Sequence, residues 1–267
     1  IDIDAVQIGK RHPVNVGLIG HTKTTLTALM QLFDSQRNDD FLKSYQQDMK
    51  KMLAEQHKQE QSDDIPIAPP RTMRSLANIA ADDAIFVCDT GTVTAWSARH
   101  LRLKADQKYL LSGGLASMAF SLPGAIGAQL IYPERQVFAL MGDGAFTMLM
   151  GDLITAVKYQ LPIVILVLNN RKLGFISLEQ ETKGLPEWGT NLQNADFAGI
   201  AKACGGLGFH VKKPDELEPT INQAIQAKQP VVIDIDVDPD ALVMPPEIKL
   251  SQAAGFTLAK IREFFGA

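Results

Sequence analysis

Long apolar runs are missing from this sequence. No stretch approaches the ~18 uninterrupted apolar residues of a membrane-spanning helix, so none is expected. Basic stripes are missing too: 26 Lys and Arg stand interspersed among 30 Asp and Glu, giving a net charge of −4 and a pI near 5.8. Such a surface does not neutralise a phosphate backbone, and nucleic acid is not expected as a partner. Cysteine is scarce. The two present, Cys88 and Cys204, sit in apolar surroundings and read as buried free thiols in a reducing compartment. No signal-peptide pattern is visible, and a cytoplasmic location is expected. Internal repeats and low-complexity tracts are absent as well. The sequence opens on Ile1, and "IDIDAVQIG" reads as the end of a strand, so a piece of a longer polypeptide is expected.

What is present is ordinary globular composition: 267 residues, 46% hydrophobic, with a mean hydropathy of −0.01. That suffices for one large domain with attachments. Residues 1–33 read as strand, turn, strand and helix ("IDI", "VNVGLIG", "TTLTALMQLF"), one edge of an α/β domain. Residues 34–62 are polar with sparse apolar positions and read as a solvated connector helix. The prolines of "SDDIPIAPP" end it, with a domain boundary near residue 65. We divide the chain into 1–33, a connector at 34–70, a main domain at 71–240 and a tail helix at 241–267.

From Arg71 onward, apolar runs alternate with helical periodicity. Candidate strands are residues 84–88, 108–112, 136–140, 163–168, 209–212 and 231–237; helical stretches between them include 147–159, 195–203 and 215–227. Strands with little polar alternation, separated by helices, predict a parallel sheet buried on both faces. The fold class is therefore α/β, a doubly wound parallel sheet. The tail carries an apolar stripe at Leu258, Ile261 and Phe265.

One stretch carries chemistry: "MGDGAFTMLMGDLITAVKYQLPIVILVLNN". Gly142-Asp143-Gly144 follows one apolar strand and Asn169-Asn170 ends the next, with 24 residues between Gly144 and Asn169. Ligands of open parallel sheets sit at the carboxyl ends of strands. Glycines there let backbone approach a phosphate, and the helix start offers unpaired N–H groups. A carboxylate facing a phosphate would repel it unless a cation intervened, so Asp143 implies a metal. Magnesium suits one or two protein oxygens completed by phosphate and water. Adjacent strands lie ~4.8 Å apart, close enough for their end loops to share one ion. Taken singly, Asp143 could cap a helix and Asn169 could close an Asx turn. The joint pattern and spacing favour a metal–diphosphate clamp.

The clamp resembles the signature of thiamine-diphosphate enzymes. "ADDAIFVCDTGT", "LASMAFSLPGAIGAQ", "PERQVFALMGDGAFTMLMGDL" and "MPPEIKLSQAAGF" resemble, in that order, the branch of pyruvate oxidases and pyruvate:quinone dehydrogenases. The opening "IDID…IGK" with "VGLIG" is similar to the end of that branch's central FAD-binding domain, although His21 stands where the related motif supplies Asp. The resemblance implies thiamine diphosphate, magnesium and, in the intact enzyme, FAD as cofactors. It implies metal ligation by the Asp143 and Asn170 side chains and the Lys172 carbonyl. It further implies diphosphate contacts from Gly144, Ala145 and Thr92, with Leu173 and Gly174 beside them. In "ASM", Ala116 would accept from the cofactor's amino group beside Ser117, and Met118 would wedge between its rings; core packing is the plainer reading of Met118. Phe175 and Ile176 would face the substrate and Glu179 would relay protons, a solvated helix carboxylate being the plainer reading of Glu179. Asp2 would touch the flavin.

The implied reaction is oxidative decarboxylation of a 2-keto acid, pyruvate, with electrons passing to quinone or oxygen. Acetolactate synthase, which condenses two keto acids, is the nearest alternative, and a non-catalytic partner-binding module a more distant one. The activating glutamate of such enzymes belongs to a domain not in this chain, so the chain alone is not expected to turn over. A dimer or tetramer is expected of the intact protein. Membrane contact by the tail is not expected, because Lys260 and Arg262 are its only basic residues beyond Lys249.

Overall fold

The computed structural model describes residues 1–33, 39–104, 106–193, 195–241, 243 and 249–265, Phe265 by its backbone alone. The chain divides into two compact units, Ile1–Lys51 and Met52–Ala267.

In the first unit the two expected strands reduce to one parallel bridge between Asp2 and Ile19. Asp2 N donates to Leu18 O at 3.1 Å and Gly20 N to Asp2 O at 3.0 Å. The reason is the lack of cover: Ile1, Ile3, Val14, Val16 and Ile19 are all exposed, and a lone strand pair without a packed face is marginal. Helix α1 spans Thr22–Met30, and α2, Asp40–Glu60, runs from the first unit into the second. Along α2 only Glu60 is buried. Its carboxylate accepts two bonds from Arg102, at 3.0 and 3.1 Å, and lies 3.2 Å from His100 Nδ1.

The second unit holds the sheet. Its elements are α3 (Pro69–Ile79), β1 (Ile85–Cys88), α4 (Thr92–His100), β2 (Lys108–Leu111), α5 (Ser121–Ile131), β3 (Val137–Gly142), α6 (Asp143–Leu149), α7 (Leu153–Lys158), β4 (Ile163–Asn169), α8 (Gly174–Thr182), α9 (Phe197–Ala203), β5 (Leu207–Val211), α10 (Leu217–Gln226), β6 (Val231–Asp236) and α11 (Leu250–Phe265). The strands form one parallel sheet in the order β2-β1-β3-β4-β6-β5. The doubly wound reading therefore holds.

Strand alternation splits the core into two layers. Phe86, Phe138, Leu140, Val164, Leu166 and Ile233 point to one face, with Leu76 of α3 and Ile221 of α10. Ile85, Val137, Ala139, Ile163, Ile165 and Val232 point to the other, with Leu122 of α5 and Phe197 of α9. Phe86 and Phe138 are register partners, and their rings stack at 5.4 Å.

Three local differences from the sequence reading have physical causes. The stretch expected as one helix over 147–159 is α6, a 3-10 turn at Met150–Asp152 and α7. Gly151 sits in that turn, where glycine's conformational entropy disfavours continuing the helix. Cys204 is only partly buried, unlike Cys88. The tail helix packs on α8, but Leu258 and Ile261 stay about half exposed, at 43% and 49%, and among the described side chains of α11 the buried one is Ala259. The Phe265 side chain and residues 244–248 of the tail motif lie outside the described residues.

Candidate functional site

The chain runs from β1 to β2 on one side, then returns to place β3 on the other side of β1. That reversal opens a crevice at the strands' carboxyl ends, where doubly wound sheets bind ligands. Around it lies a cleft of about 80 Å³. Its walls are Thr90–Val93 after β1, Gly142–Ala145 after β3, Asn170 and Lys172–Ile176 after β4, and Met118 from the loop before α5. A second cavity of about 300 Å³ adjoins it and shares Thr92, Asn170, Lys172 and Gly174.

No loop separates strand from helix at the glycine motif: Gly142 ends β3 and Asp143 opens α6, with Asp143 2% exposed. Gly144 forms a cradle. A Cβ there would meet Leu173 Cδ2 at 2.9 Å and Leu192 Cδ1 at 3.2 Å, with Met118 Cε at 3.6 Å, so a side chain would close the space a ligand needs.

The two asparagines have different fates. Asn169 Nδ2 donates to Asp234 Oδ1 on β6 at 2.9 Å, which ties the first asparagine into the sheet. Asn170 lines the cleft, and its Oδ1 accepts from Lys172 N at 3.1 Å. Arg171 between them adopts φ 56°. The following backbone is pinned by Leu192 N to Arg171 O and Leu173 N to Thr190 O, each 2.8 Å. Lys172 Nζ meets Glu187 Oε2 at 2.7 Å. Burial opposes ionisation of Glu187, but the bonds from Lys172 and Thr190 hold its carboxyl below the usual range.

Eleven of the residues singled out in the sequence thus converge on one cleft: Thr92, Met118, Asp143, Gly144, Ala145, Asn170, Lys172, Leu173, Gly174, Phe175 and Ile176. Four do not line it. Ala116 and Ser117 are exposed on the loop leading to Met118, Glu179 is exposed on α8, and Asp2 belongs to the first unit. The acid of α8 that is buried is Glu181, 3% exposed, which accepts from Lys260 Nζ at 2.6 Å. Sequence reasoning passed over it, because nothing in the sequence separates Glu181 from the exposed Glu179 of the same helix. It also passed over Asp89, fully buried behind the cleft, whose carboxyl burial pushes up to about 6 against the bonds it accepts from Ser121 and Phe120.

Among the described residues no group of three His, Cys, Asp or Glu is placed to hold a metal. The cleft instead offers one carboxylate, one amide oxygen and backbone carbonyls. Such a set leaves coordination positions for ligand oxygens and water, which suits a hard cation bound together with a phosphate.

The chain is similar to known proteins along its whole length. The family described as "Thiamine pyrophosphate enzyme, C-terminal TPP binding domain" matches residues 89–235, more than half of the chain. The candidate thiamine pyrophosphate-containing protein YdaP of Bacillus subtilis is 41% identical over 265 residues, 99% of this chain and 46% of that protein. Pyruvate oxidase of Lactiplantibacillus plantarum is 32% identical over 256 residues, 95% of this chain and 42% of that enzyme. The acetolactate synthase large subunit of Haemophilus influenzae is 29% identical over 268 residues, 98% of this chain and 47% of that subunit. The chain therefore spans about half the length of the curated relatives it matches. With the matched segment running from Asp89 through Asp143 and Asn170 into β6, the chain belongs to the thiamine pyrophosphate enzymes and carries their C-terminal cofactor-binding domain.

Proposed function

We propose that this chain supplies the diphosphate and magnesium half of the site of an enzyme that decarboxylates pyruvate oxidatively. FAD is the acceptor in the intact protein, ahead of quinone or oxygen. The observation that carries the reading is that Asp143 and Asn170, 27 positions apart, line one cleft across a glycine cradle.

Thiamine diphosphate, when bound, supplies the carbon nucleophile that attacks a 2-keto group and the ring that takes up the electron pair left by decarboxylation. The chain's own residues position and neutralise. Asp143 and Asn170, with the Lys172 carbonyl, would hold the magnesium that screens the diphosphate charge. Gly144 and Ala145 would present backbone N–H groups to the phosphate oxygens, and Thr92 would contact them from the neighbouring strand end. Met118 would press on the ring portion. Phe175 and Ile176, at the start of α8, would wall the substrate space and exclude water from it. Residues 1–33 are, on this reading, the end of a central flavin domain, and the site is completed by polypeptide outside this chain, in a dimer or tetramer.

A second reading is favoured by one finding: an acetolactate synthase large subunit matches 98% of the chain at 29% identity, against 95% at 32% for the pyruvate oxidase. The two are separated by products. The encoded protein, supplied with thiamine diphosphate, magnesium, FAD and pyruvate, is expected to reduce a quinone or oxygen and release acetate or acetyl phosphate. Accumulation of acetolactate without acceptor reduction would select the second reading. Failure of the encoded protein to bind thiamine diphosphate, by calorimetry with magnesium present, would sink both.

A further inference from the structure

Asp89 follows β1 and is fully buried, yet it does not line the cleft. Its backbone N donates to Leu140 O of β3 at 2.9 Å, and its carbonyl accepts from Thr94 Oγ1 of α4. Its carboxylate reaches across to α5. Oδ1 accepts from Phe120 N at 2.6 Å and from Ser121 N at 3.2 Å, and Oδ2 accepts from Ser121 Oγ at 3.1 Å. Phe120 occupies the N-cap position of α5 and has no side-chain acceptor to offer, so Asp89 caps the helix from a distant element.

The loop that enters α5 is not relaxed by itself. Ala116 and Ala119 adopt φ 50° and 63°, left-handed conformations that alanine keeps only where surrounding structure imposes them. Between these two residues stands Met118, whose Cε lies 3.6 Å from where a Cβ on Gly144 would be. Asp89 is thus joined on one side to the wall Thr90–Val93 and on the other, through Phe120 and Ser121, to the loop that carries Met118.

We infer that Asp89 is a positioning residue: by accepting the amide protons of Phe120 and Ser121 and the Ser121 hydroxyl, it holds the left-handed turn that sets Met118 against the glycine cradle, and so governs the fit of the cofactor's ring portion without touching its diphosphate. The inference rests on the thiamine diphosphate reading. The two parts of the ligand are separable, because Asp143 opens α6 after β3 and Asn170 follows β4, on other strand ends than Asp89.

The test is calorimetric titration of the encoded protein with thiamine diphosphate and, separately, with inorganic pyrophosphate, both with magnesium. Asp89→Ala leaves three donors without their acceptor and is expected to weaken thiamine diphosphate about tenfold or more. Asp89→Asn keeps an acceptor oxygen for the two amides and should recover most of that loss, to within about threefold of wild type. Ser121→Ala removes a single bond and should cost about threefold, a readout that survives if Asp89→Ala fails to fold. Pyrophosphate affinity should stay within about twofold throughout, because an effect confined to the ring end leaves the clamp as it was. Amide hydrogen exchange adds a readout free of cofactor, with faster exchange expected at Phe120 and Ser121 in the variants. Wild-type affinity for thiamine diphosphate in Asp89→Ala, or equal losses for both ligands, would overturn the inference while leaving the cofactor reading intact. No binding of thiamine diphosphate by wild type would overturn both.

Discussion

The two ends of α8 are built on opposite principles. Its first turn, Gly174 to Ile176, borders the cleft and is left partly open, with Ile176 49% exposed. Its last turn is locked by α11. Lys260 bonds buried Glu181, Arg262 Nη1 donates to Gly184 O at 2.7 Å, and Glu187 N donates to Glu263 Oε1 at 2.9 Å. Phe175 and Ile176, proposed to meet the substrate, are not fully covered by their own protein. The helix that carries them is secured at its far end instead, by its contacts with α11. The clamp and the latch should therefore fail separately.

The largest effect should come from the clamp. Asp143→Ala removes the only carboxylate among the proposed metal ligands and should weaken magnesium-dependent binding of thiamine diphosphate by at least about a hundredfold. The variant should still unfold in one cooperative urea transition, which separates loss of affinity from loss of fold. Calorimetry and denaturation on the same preparation check both halves. Unchanged affinity would remove Asp143 from the site.

The latch should break at Gly255. A Cβ there would lie 2.1 Å from Thr182 O and 2.8 Å from Thr182 C, so α11 rests backbone to backbone on the end of α8. In an exposed helix, glycine to alanine gains up to ~1 kcal/mol. Here the collision reverses the sign, and Gly255→Ala should cost roughly 3 kcal/mol in urea unfolding. Pyrophosphate binding with magnesium should survive, because the clamp residues sit on β3, β4 and their loops. A stabilised variant would show that α11 does not dock as described.

This contrast also explains what the sequence discloses. All six strands are legible because each is a short apolar run bounded by turn residues, and the convergence of Asp143 and Asn170 on one cleft because the two motifs stand at the ends of successive strands. Asn170 could be chosen over Asn169 only by resemblance; physically the choice depends on Asp234, 65 residues away on β6, which claims Asn169. Glu181 and Asp89 were illegible for the same reason. Their partners lie 79 residues and about thirty residues along the chain, the latter in backbone amides that leave no mark on composition. The strands expected in residues 1–33 show the converse, since apolar alternation makes a sheet only where another layer covers it.

The burial of Asp89 should show in the pH dependence of stability. Burial raises its carboxyl from 3.8 to about 6 in the folded protein, the bonds from Ser121 and Phe120 opposing the shift. The native state therefore holds a proton that the unfolded chain releases between those values. Stability from this group is greatest below about pH 4, falls as pH rises to about 6 and is level above, a change on the order of 3 kcal/mol. Cys88, beside it, titrates well above this range, its thiol raised by burial. Asn does not titrate, so the stability of wild type relative to Asp89→Asn should decline from pH 4.5 to pH 7. A flat difference would mean that Asp89 ionises normally and that its burial carries no such cost.

The smallest effect belongs to Lys260, because its side chain is 47% exposed and solvent screens its pair with Glu181. Burial opposes its charge, but the bonds to Glu181 and Glu263 more than offset this and raise its pKa above 10.5. A raised lysine contributes stability that is present below the unfolded value and lost as pH climbs through the folded one. Wild type should therefore shed about 1 kcal/mol above pH 10.5, whereas Lys260→Met should lack that loss. At pH 7 the same variant leaves Glu181 buried without its cation, at a cost of roughly 1 kcal/mol. Phe256 argues for methionine as the replacement, since its ring lies 5.5 Å from Nζ and can pack against a thioether. If Lys260→Met matched wild type at pH 7 while Gly255→Ala did not, the latch would be held by backbone contact alone, and its ion pairs would serve only to orient α11.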